Sequence, residues 1–441
     1  MLKAAKFGGS SCADAKQFKK VKDIVLSDPS RRMIVVSAPG KSEGCDHKIT
    51  DLLCLCAAHI EYGVSCDDIF GIIRSRFTQI ASECGVFPGI GKELDSLKLR
   101  MLSGMPHDEL ISRGEYFCAR LMAEYLGYDF IDAESWVRFG PDGSVDVPSS
   151  SAALRLAASG RKAVTPGFYG AMPDGRIRTF TRGGSDITGA LAAAALDADV
   201  YENWTDVPGI LTADPRIVTD PYPISRMTYG ELRELSFLGA QVMHEETVFP
   251  LREKHIPLNI RCTDDPSLPG TLILESIDDT EEETGFITGV TGKKGFSIVT
   301  AERSGMSSEA GAVTKALRVF DKRGVNVYFI PSGIDSVSFV VRTKQTEECI
   351  YGIVSELKEV LDLNNVSVTD RIAVVAAVGR RMAFKPGVSG KVFAALGRNG
   401  VNVRMITQGP NELNIIFGVD EKDYEKSVRV LYKSFVREKY I

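Results

Sequence analysis

At 441 residues the chain is too long for one hydrophobic core, and about two to four domains are expected. A hydrophobic share of 44%, a charged share of 25% and a net charge of −5 suit an ordinary soluble enzyme, and no basic stripe marks a nucleic-acid partner. No apolar run reaches the roughly 18–20 residues a bilayer crossing needs. The N-terminal MLKAAKFGGSS lacks a signal peptide's apolar core, and nine cysteines without paired spacing fit reduced thiols in the cytoplasm. The histidines show no metal-ligand spacing, so metalloenzyme readings are set aside, and the evenly spread charge leaves small molecules as the expected partners, with neither nucleic acid nor membrane.

The predicted elements begin with a short strand at AAKFG and a helix from about Ala13 to Leu26. RRMIVVSAPG then gives a β-branched run suited to a strand buried on both faces. ITDLLCLCAAHIEYG carries a helical pattern, and the stretch from Asp67 to Leu110 reads as mostly helical, a lid or side lobe. Strand-like segments recur at YDFIDA, KAVTPGFYG and ADVYENWTDV, with the Ala-rich helix ITGALAAAAL between the last two. Strands alternating with helices predict an α/β sandwich around a mostly parallel sheet. The acidic DDTEEE at Asp278–Glu283 reads as a solvated linker and places a domain boundary near residue 280.

Beyond that boundary the chain repeats itself. GAVTKALRVFDKRGVNVYFI (residues 311–330) aligns without gaps on GVSGKVFAALGRNGVNVRMI (residues 387–406), at an offset of 76 residues. Each copy follows a strand (FSIVTA; IAVVAAVG) and precedes another (SVSFVV; ELNIIFGV), then a helix. The pattern is a βαββα unit twice, a ferredoxin-like module in tandem.

Five short motifs carry chemistry. In KFGGSS a lysine leaves a strand and meets glycines that let backbone N–H groups approach a phosphate, with Lys6 adding a point charge. The order is not that of a Walker A loop, because the lysine precedes the glycines. Ser37-Ala38-Pro39-Gly40 closes the next buried strand, Thr50 starts the following helix, and both turns would face one crevice. Ser112-Arg113-Gly114-Glu115 is read as preceding an apolar helix, where Glu115 suits either a cap or an ammonium partner. Thr181-Arg182-Gly183-Gly184-Ser185-Asp186 opens the Ala-rich helix: Arg182 offers a fork for a carboxylate, Ser185 can cap, and Asp186 sits in the first turn. Trp204-Thr205-Asp206-Val207-Pro208-Gly209, leading to Thr212-Ala213-Asp214-Pro215-Arg216, has donors and acceptors enough for a nucleoside, although a plain Pro-Gly turn would look similar.

In this order KFGGSS, SRGE, RGGSD, WTDVPG and TADPR resemble the amino-acid kinase family, on its aspartate kinase branch, and the repeat resembles a tandem pair of ACT domains. The resemblance covers essentially the whole chain. It implies an amino-acid kinase domain over 1–280, with 67–110 a helical side lobe, then ferredoxin-like βαββαβ ACT modules over 290–370 and 371–441, the second either separate from or interleaved with the first. It implies transfer from ATP with Mg²⁺ to the β-carboxylate of L-aspartate, the first step toward lysine, threonine and methionine. Lys6, Gly8, Gly9 and Ser10 would then face the phosphates, with Lys6 and Asp186 catalytic. Thr50, Glu115, Arg182 and Ser185 would surround the substrate, with Arg182 on its α-carboxylate and Glu115 near its ammonium group. Thr205, Asp206 and Arg216 would hold the nucleotide. In the tail, Met306, Ser307, Ala312, Asn326, Val327 and Tyr328 would bind the effector, with lysine ahead of threonine, and a homodimer or dimer of dimers is expected. One departure stands out: where the family has lysine in A-K-V-x-H, this chain has Gln241. The competing expectations are a kinase for another small carboxylate and a catalytically silent amino-acid sensor.

Overall fold

The computed structural model describes residues 1–181, 183–239, 245–277, 287–306, 310–363, 365–380, 382, 385–409 and 413–436. Two compact units divide the chain: Met1–Ile210, Pro223–Tyr229 and Val242–Ile277 form the first, and Leu211–Tyr222, Gly230–Gln241 and Asp278–Ile441 the second. Among the described residues no helix is long and apolar enough to cross a membrane.

The strands of the first unit are β1 (Lys3–Phe7), β2 (Arg31–Val36), β3 (Asp129–Phe130), β4 (Ala163–Pro166), the hairpin β5 (Tyr169–Ala171) and β6 (Ile177–Thr179), β7 (Val200–Thr205), β8 (Arg226–Thr228), β9 (Leu258–Cys262) and β10 (Thr271–Leu274). Eight of these make one sheet in the order β3-β4-β2-β1-β7-β9-β10-β8. Every pairing in it is parallel except that of β9 with β10. The chain moves from β1 to β2 on one side and from β7 to β9 on the other, so the strand order reverses between β1 and β7. A crevice opens at such a reversal, outside the carboxyl ends of the strands.

The helices of this unit include α1 (Ala15–Ser27), α2 (Ile49–Glu61), α3 (Asp67–Cys84), α4 (Ile90–Leu102), α5 (His107–Leu126), α6 (Val147–Ala158) and α7 (Gly184–Ala195). Strand alternation gives the two faces of β1 different work. Ala5 and Phe7 join one core with α1 to α5, where the Phe7 and Trp204 rings stack at 5.9 Å. The helices of the 67–110 stretch belong to that same core through Phe70, Phe77, Leu94 and Leu97. The opposite face, which carries Lys6, lies under α7. There the alanines of α7 allow a close approach to the sheet, closest at Gly189, where a Cβ would stand 2.3 Å from the Tyr201 hydroxyl oxygen.

Local outcomes differ from the sequence reading in three places. Ser112–Glu115 lies inside α5, not ahead of it, because the helix starts at His107 behind Pro106, with Asp108 and Glu109 in its first turn. Glu115 is therefore no cap. Ser185 does not cap α7 either: the N-cap is Gly183 at φ 59, a left-handed position that favours glycine. KAVTPGFYG is two strands, broken at Gly167 and Phe168.

The second unit builds a six-stranded antiparallel sheet from β11 (Gly289–Glu302), β12 (Val327–Phe329), β13 (Ser336–Arg342), β14 (Asn365–Val378), β15 (Val403–Thr407) and β16 (Asn414–Asp420), in the order β12-β13-β11-β14-β16-β15. The two 14-residue strands are each shared. Ile298–Glu302 of β11 pairs with Asn365–Thr369 of β14, and Gly289–Lys293 with Val374–Val378. Each βαββα repeat thus gains its sixth element from the other's long strand. Helices Ala312–Asp321 and Ile350–Leu361 cover one half around Phe320, Phe339 and Leu357. Val388–Arg398 and Tyr424–Leu431 cover the other around Phe417, Leu396 and Leu431. The acidic linker Asp278–Glu283 lies outside the described residues.

The α7 packing gives a stability test. Gly189→Ala should cost about 1–3 kcal/mol by overpacking, with part of the loss recovered by adding Tyr201→Phe, as read from urea unfolding midpoints. Equal losses in the single and double variants would show that Tyr201 does not set the limit.

Candidate active site

The switch point at the carboxyl ends of β1 and β7 is built by register. Parallel pairing sets Lys6 beside Asn203 and Phe7 beside Trp204. Lys6, only 8% exposed, extends its ammonium group to Asp186 Oδ1 at 2.6 Å. Asn203 completes the triad: its Oδ1 accepts from Lys6 at 3.4 Å and its Nδ2 donates to Asp186 Oδ1 at 3.0 Å. Asp186 stands in the first turn of α7, where the helix dipole favours a carboxylate.

Two glycine turns meet beside this triad. Gly8 donates to the Trp204 carbonyl at 3.1 Å, and Gly40 donates to the Gly9 carbonyl at 2.8 Å. A Cβ on Gly40 would lie 2.6 Å from the Gly9 carbonyl carbon, so the turns after β1 and β2 touch backbone to backbone. A third turn closes in the same way, since a Cβ on Gly167 would come 2.6 Å from Ser185 Cβ. The helix after KFGGSS is delayed: a 3₁₀ turn, Ser10–Cys12, precedes α1, and α1 is capped by Asp14.

Glu115, 5% exposed on α5, receives a backbone hydrogen bond from Ala38 of the second turn. Its Oε2 is buried with no hydrogen-bond partner among the described residues. Burial pushes its carboxyl up to about 8, with the backbone donors opposing the rise.

Residues 1–262 match the family model described as "Amino acid kinase family". The chain belongs to that family. Residues 375–435 match an ACT domain model. Aspartokinase 3 of Bacillus subtilis is 34% identical, covering 98% of this chain and 98% of its own. The crystal structure of Clostridium acetobutylicum aspartate kinase is 43% identical at a TM-score of 0.89, covering 98% of this chain and 99% of that one. Escherichia coli aspartokinase III in complex with aspartate and ADP is 26% identical at a TM-score of 0.76, covering 98% of this chain and 99% of its own. Its complex with lysine and aspartate gives 27% and 0.75, covering 99% of both chains. This amino-acid kinase is an aspartokinase, a phosphotransferase with an ACT regulatory tail.

In the enzyme, Lys6, Gly8, Gly9 and Asp186 come together at the crevice, and Ser10 sits in the adjoining 3₁₀ turn. Thr50 lies in the first turn of α2, whose Ile49 amide donates to the Pro39 carbonyl. Thr205 ends β7 and Asp206 follows it, with the Thr205 hydroxyl donating to Asp206 at 3.1 Å. Arg216 belongs to the second unit, where it pairs with Asp214 at 2.6 Å and is 85% exposed. Met306 and Ala312 are buried in the core of the first half of the tail. Val327 and Tyr328 lie on β12, with Asn326 exposed just before it, and the Tyr328 ring packs on Phe296 at 5.4 Å. Arg182, Gln241 and Ser307 lie outside the described residues.

Sequence reasoning missed Asn203 and Arg76. Asn203 had a signal: Glu202 and Asn203 are adjacent polar residues inside a strand buried on both faces. Glu202 serves the other face, taking Arg31 at 2.6 Å and the Trp204 indole at 2.9 Å. Arg76 shares the i, i+3, i+4, i+7 stripe of Ile73, Phe77 and Ile80, whereas Arg74 faces outward to Asp95.

The Glu115 shift has a defined sign. A carboxyl raised from 4.5 to about 8 holds more protons folded than unfolded, so stability should fall as pH rises through that window. Glu115→Gln should flatten this slope in urea unfolding of the unliganded protein. Superimposable pH profiles for the two proteins would contradict the shift.

Proposed function

We propose that the chain moves the γ-phosphoryl group of ATP, carried with Mg²⁺, to the β-carboxylate of L-aspartate, giving 4-phospho-L-aspartate under feedback control. The observation that carries this reading is the buried Lys6–Asp186 pair set against two backbone-to-backbone glycine turns. A carboxylate with an ordinary pKa near about 4 is already ionised at neutral pH and needs no strong base. What the reaction needs is alignment of two mutually repelling anions and neutralisation of the moving phosphoryl group.

Lys6 supplies the protein's positive charge, held in position by Asp186 and Asn203. Gly8, Gly9 and Ser10 line the phosphates, and the close packing of Gly9 on Gly40 keeps side chains out of the way. Asp186 orients Lys6 and the reacting end of the substrate. Glu115 takes the α-ammonium group, which would give its orphaned Oε2 a partner and draw off its proton. Thr50, Arg182 and Ser185 complete the substrate pocket, with Arg182 on the α-carboxylate, and Thr205 and Asp206 hold the nucleotide. In this reading Mg²⁺ would be held mainly by the phosphates, where it would supply charge neutralisation.

In this reading residues 1–280 are catalytic, and 290–370 and 371–441 are the two regulatory modules. Lysine is the proposed effector, by analogy with the lysine complex of the E. coli relative, at Met306–Ala312 and Asn326–Tyr328. Assembly as a homodimer or dimer of dimers through the tail, in the cytoplasm, belongs to the same proposal.

The test is hydroxylamine trapping of the acyl phosphate from Mg-ATP and L-aspartate, with and without lysine and threonine. Aspartate-dependent hydroxamate suppressed by lysine is expected. Product from another carboxylate alone would move the chain to a sister activity, and no product from any would leave a sensor. Lys6→Ala should lower kcat at least about a hundredfold through lost charge stabilisation while moving the aspartate KM less than about threefold. Near-normal turnover would sink the role given to Lys6.

A further inference from the structure

Arg76 lies in α3, outside every motif that marks the family, yet it is only 8% exposed. Its guanidinium donates to three backbone carbonyls: His47 at 2.9 Å, Ala13 at 3.0 Å and Gly40 at 2.5 Å. These carbonyls belong to three separate segments. Ala13 precedes α1 just after the KFGGSS turn, Gly40 closes the turn after β2, and His47 leads into α2. Among the described residues Arg76 is paired with no carboxylate: the Cys45 side chain also accepts a hydrogen bond from it, and Asp14 acts on it electrostatically. Burying a cation without a carboxylate partner is costly, and bonds to carbonyls and to the Cys45 side chain recover only part of that cost.

We infer that Arg76 is a positioning residue for the nucleotide phosphates, fixing the two glycine turns against each other from behind. The inference rests on the reading that these turns receive the nucleotide. Gly40 is the hinge of the argument: its carbonyl accepts from Arg76 while its amide donates to Gly9 at 2.8 Å. Holding the carbonyl fixes the plane of the following peptide and the distance between the turns. A planar fork holds its donors on separate nitrogens in fixed directions and so spans carbonyls of three segments; the three donors of a lysine radiate from one atom on a flexible stem. The arrangement also gives the buried charge a purpose, because its field favours the anion that the turns are shaped to accept.

The test compares wild type, Arg76→Met and Arg76→Lys in ADP binding by calorimetry, in kcat and in the separate KM values for ATP and aspartate. Arg76→Met should weaken ADP and raise the ATP KM by about tenfold or more, the scale of a lost charged hydrogen bond. Its aspartate KM should move less than about threefold. Arg76→Lys should fall between, and millimolar methylguanidinium should restore part of the ADP affinity in Arg76→Met but not in wild type. Unchanged ADP affinity, or losses for ATP and aspartate that run in step with a lowered Tm, would overturn the inference. If Arg76→Met does not fold, Arg76→Lys carries the same readouts. The ADP measurement separates the two claims: wild type that binds ADP without aspartate-dependent turnover would undo the functional reading and leave the role of Arg76 standing.

Discussion

Lys6 is buried, and burying an ammonium is costly unless it is paired. Asp186 provides the pair at 2.6 Å, and Asn203 braces both partners. That requirement ties together parts of the chain nearly two hundred residues apart. It needs β1 and β7 adjacent in parallel register, and it needs α7 to begin directly over them. Gly183, at φ 59, turns the chain into α7 at that point, and Gly189 lets the helix sink onto Tyr201. A pair of this kind is weak evidence for stability, because desolvation cancels much of the attraction. It points to a site, since the charge is held at the strand-order reversal, beside the two glycine turns.

The regulatory tail follows a different logic. Its repeats are not two separate sheets placed side by side, because β11 and β14 each serve both halves. The changeover is marked on both strands: the pairing shifts register between Lys293 and Phe296, with Gly295 at φ 84, while Arg371 on the partner strand stands at φ 58. A positive φ at a non-glycine residue is strained. Each half keeps its own helices and its own apolar core. A ligand that reshapes one half therefore acts on strands that the other half also uses.

Much of this was legible in the sequence, for physical reasons. Strands covered on both faces must be nearly all apolar, so RRMIVV announced β2. Glycines that must touch backbone to backbone cannot be replaced, so KFGGSS, APG and RGGSD stood out. The repeat was visible because both halves solve the same packing problem. What was hidden depended on long-range pairing. The polar residues Lys293, Lys294, Asp370 and Arg371 look like strand ends, although both strands run through them. SRGE looked like a helix entrance, although α5 had already begun at His107. The alternation of Glu202 and Asn203 shows that each serves one face, but their partners on β2 and α7 appear only in three dimensions.

The central claim is that Lys6 and Asp186 act as one unit, and a double-mutant cycle tests it most directly. The kcat of Lys6→Met, Asp186→Asn and the double variant would be measured against wild type under saturating ATP and aspartate. The account predicts strong non-additivity, with the double variant about as slow as the worse single one. Losses that simply multiply would mean that the two residues work independently, and the pair would then be a feature of the fold and not the centre of the site.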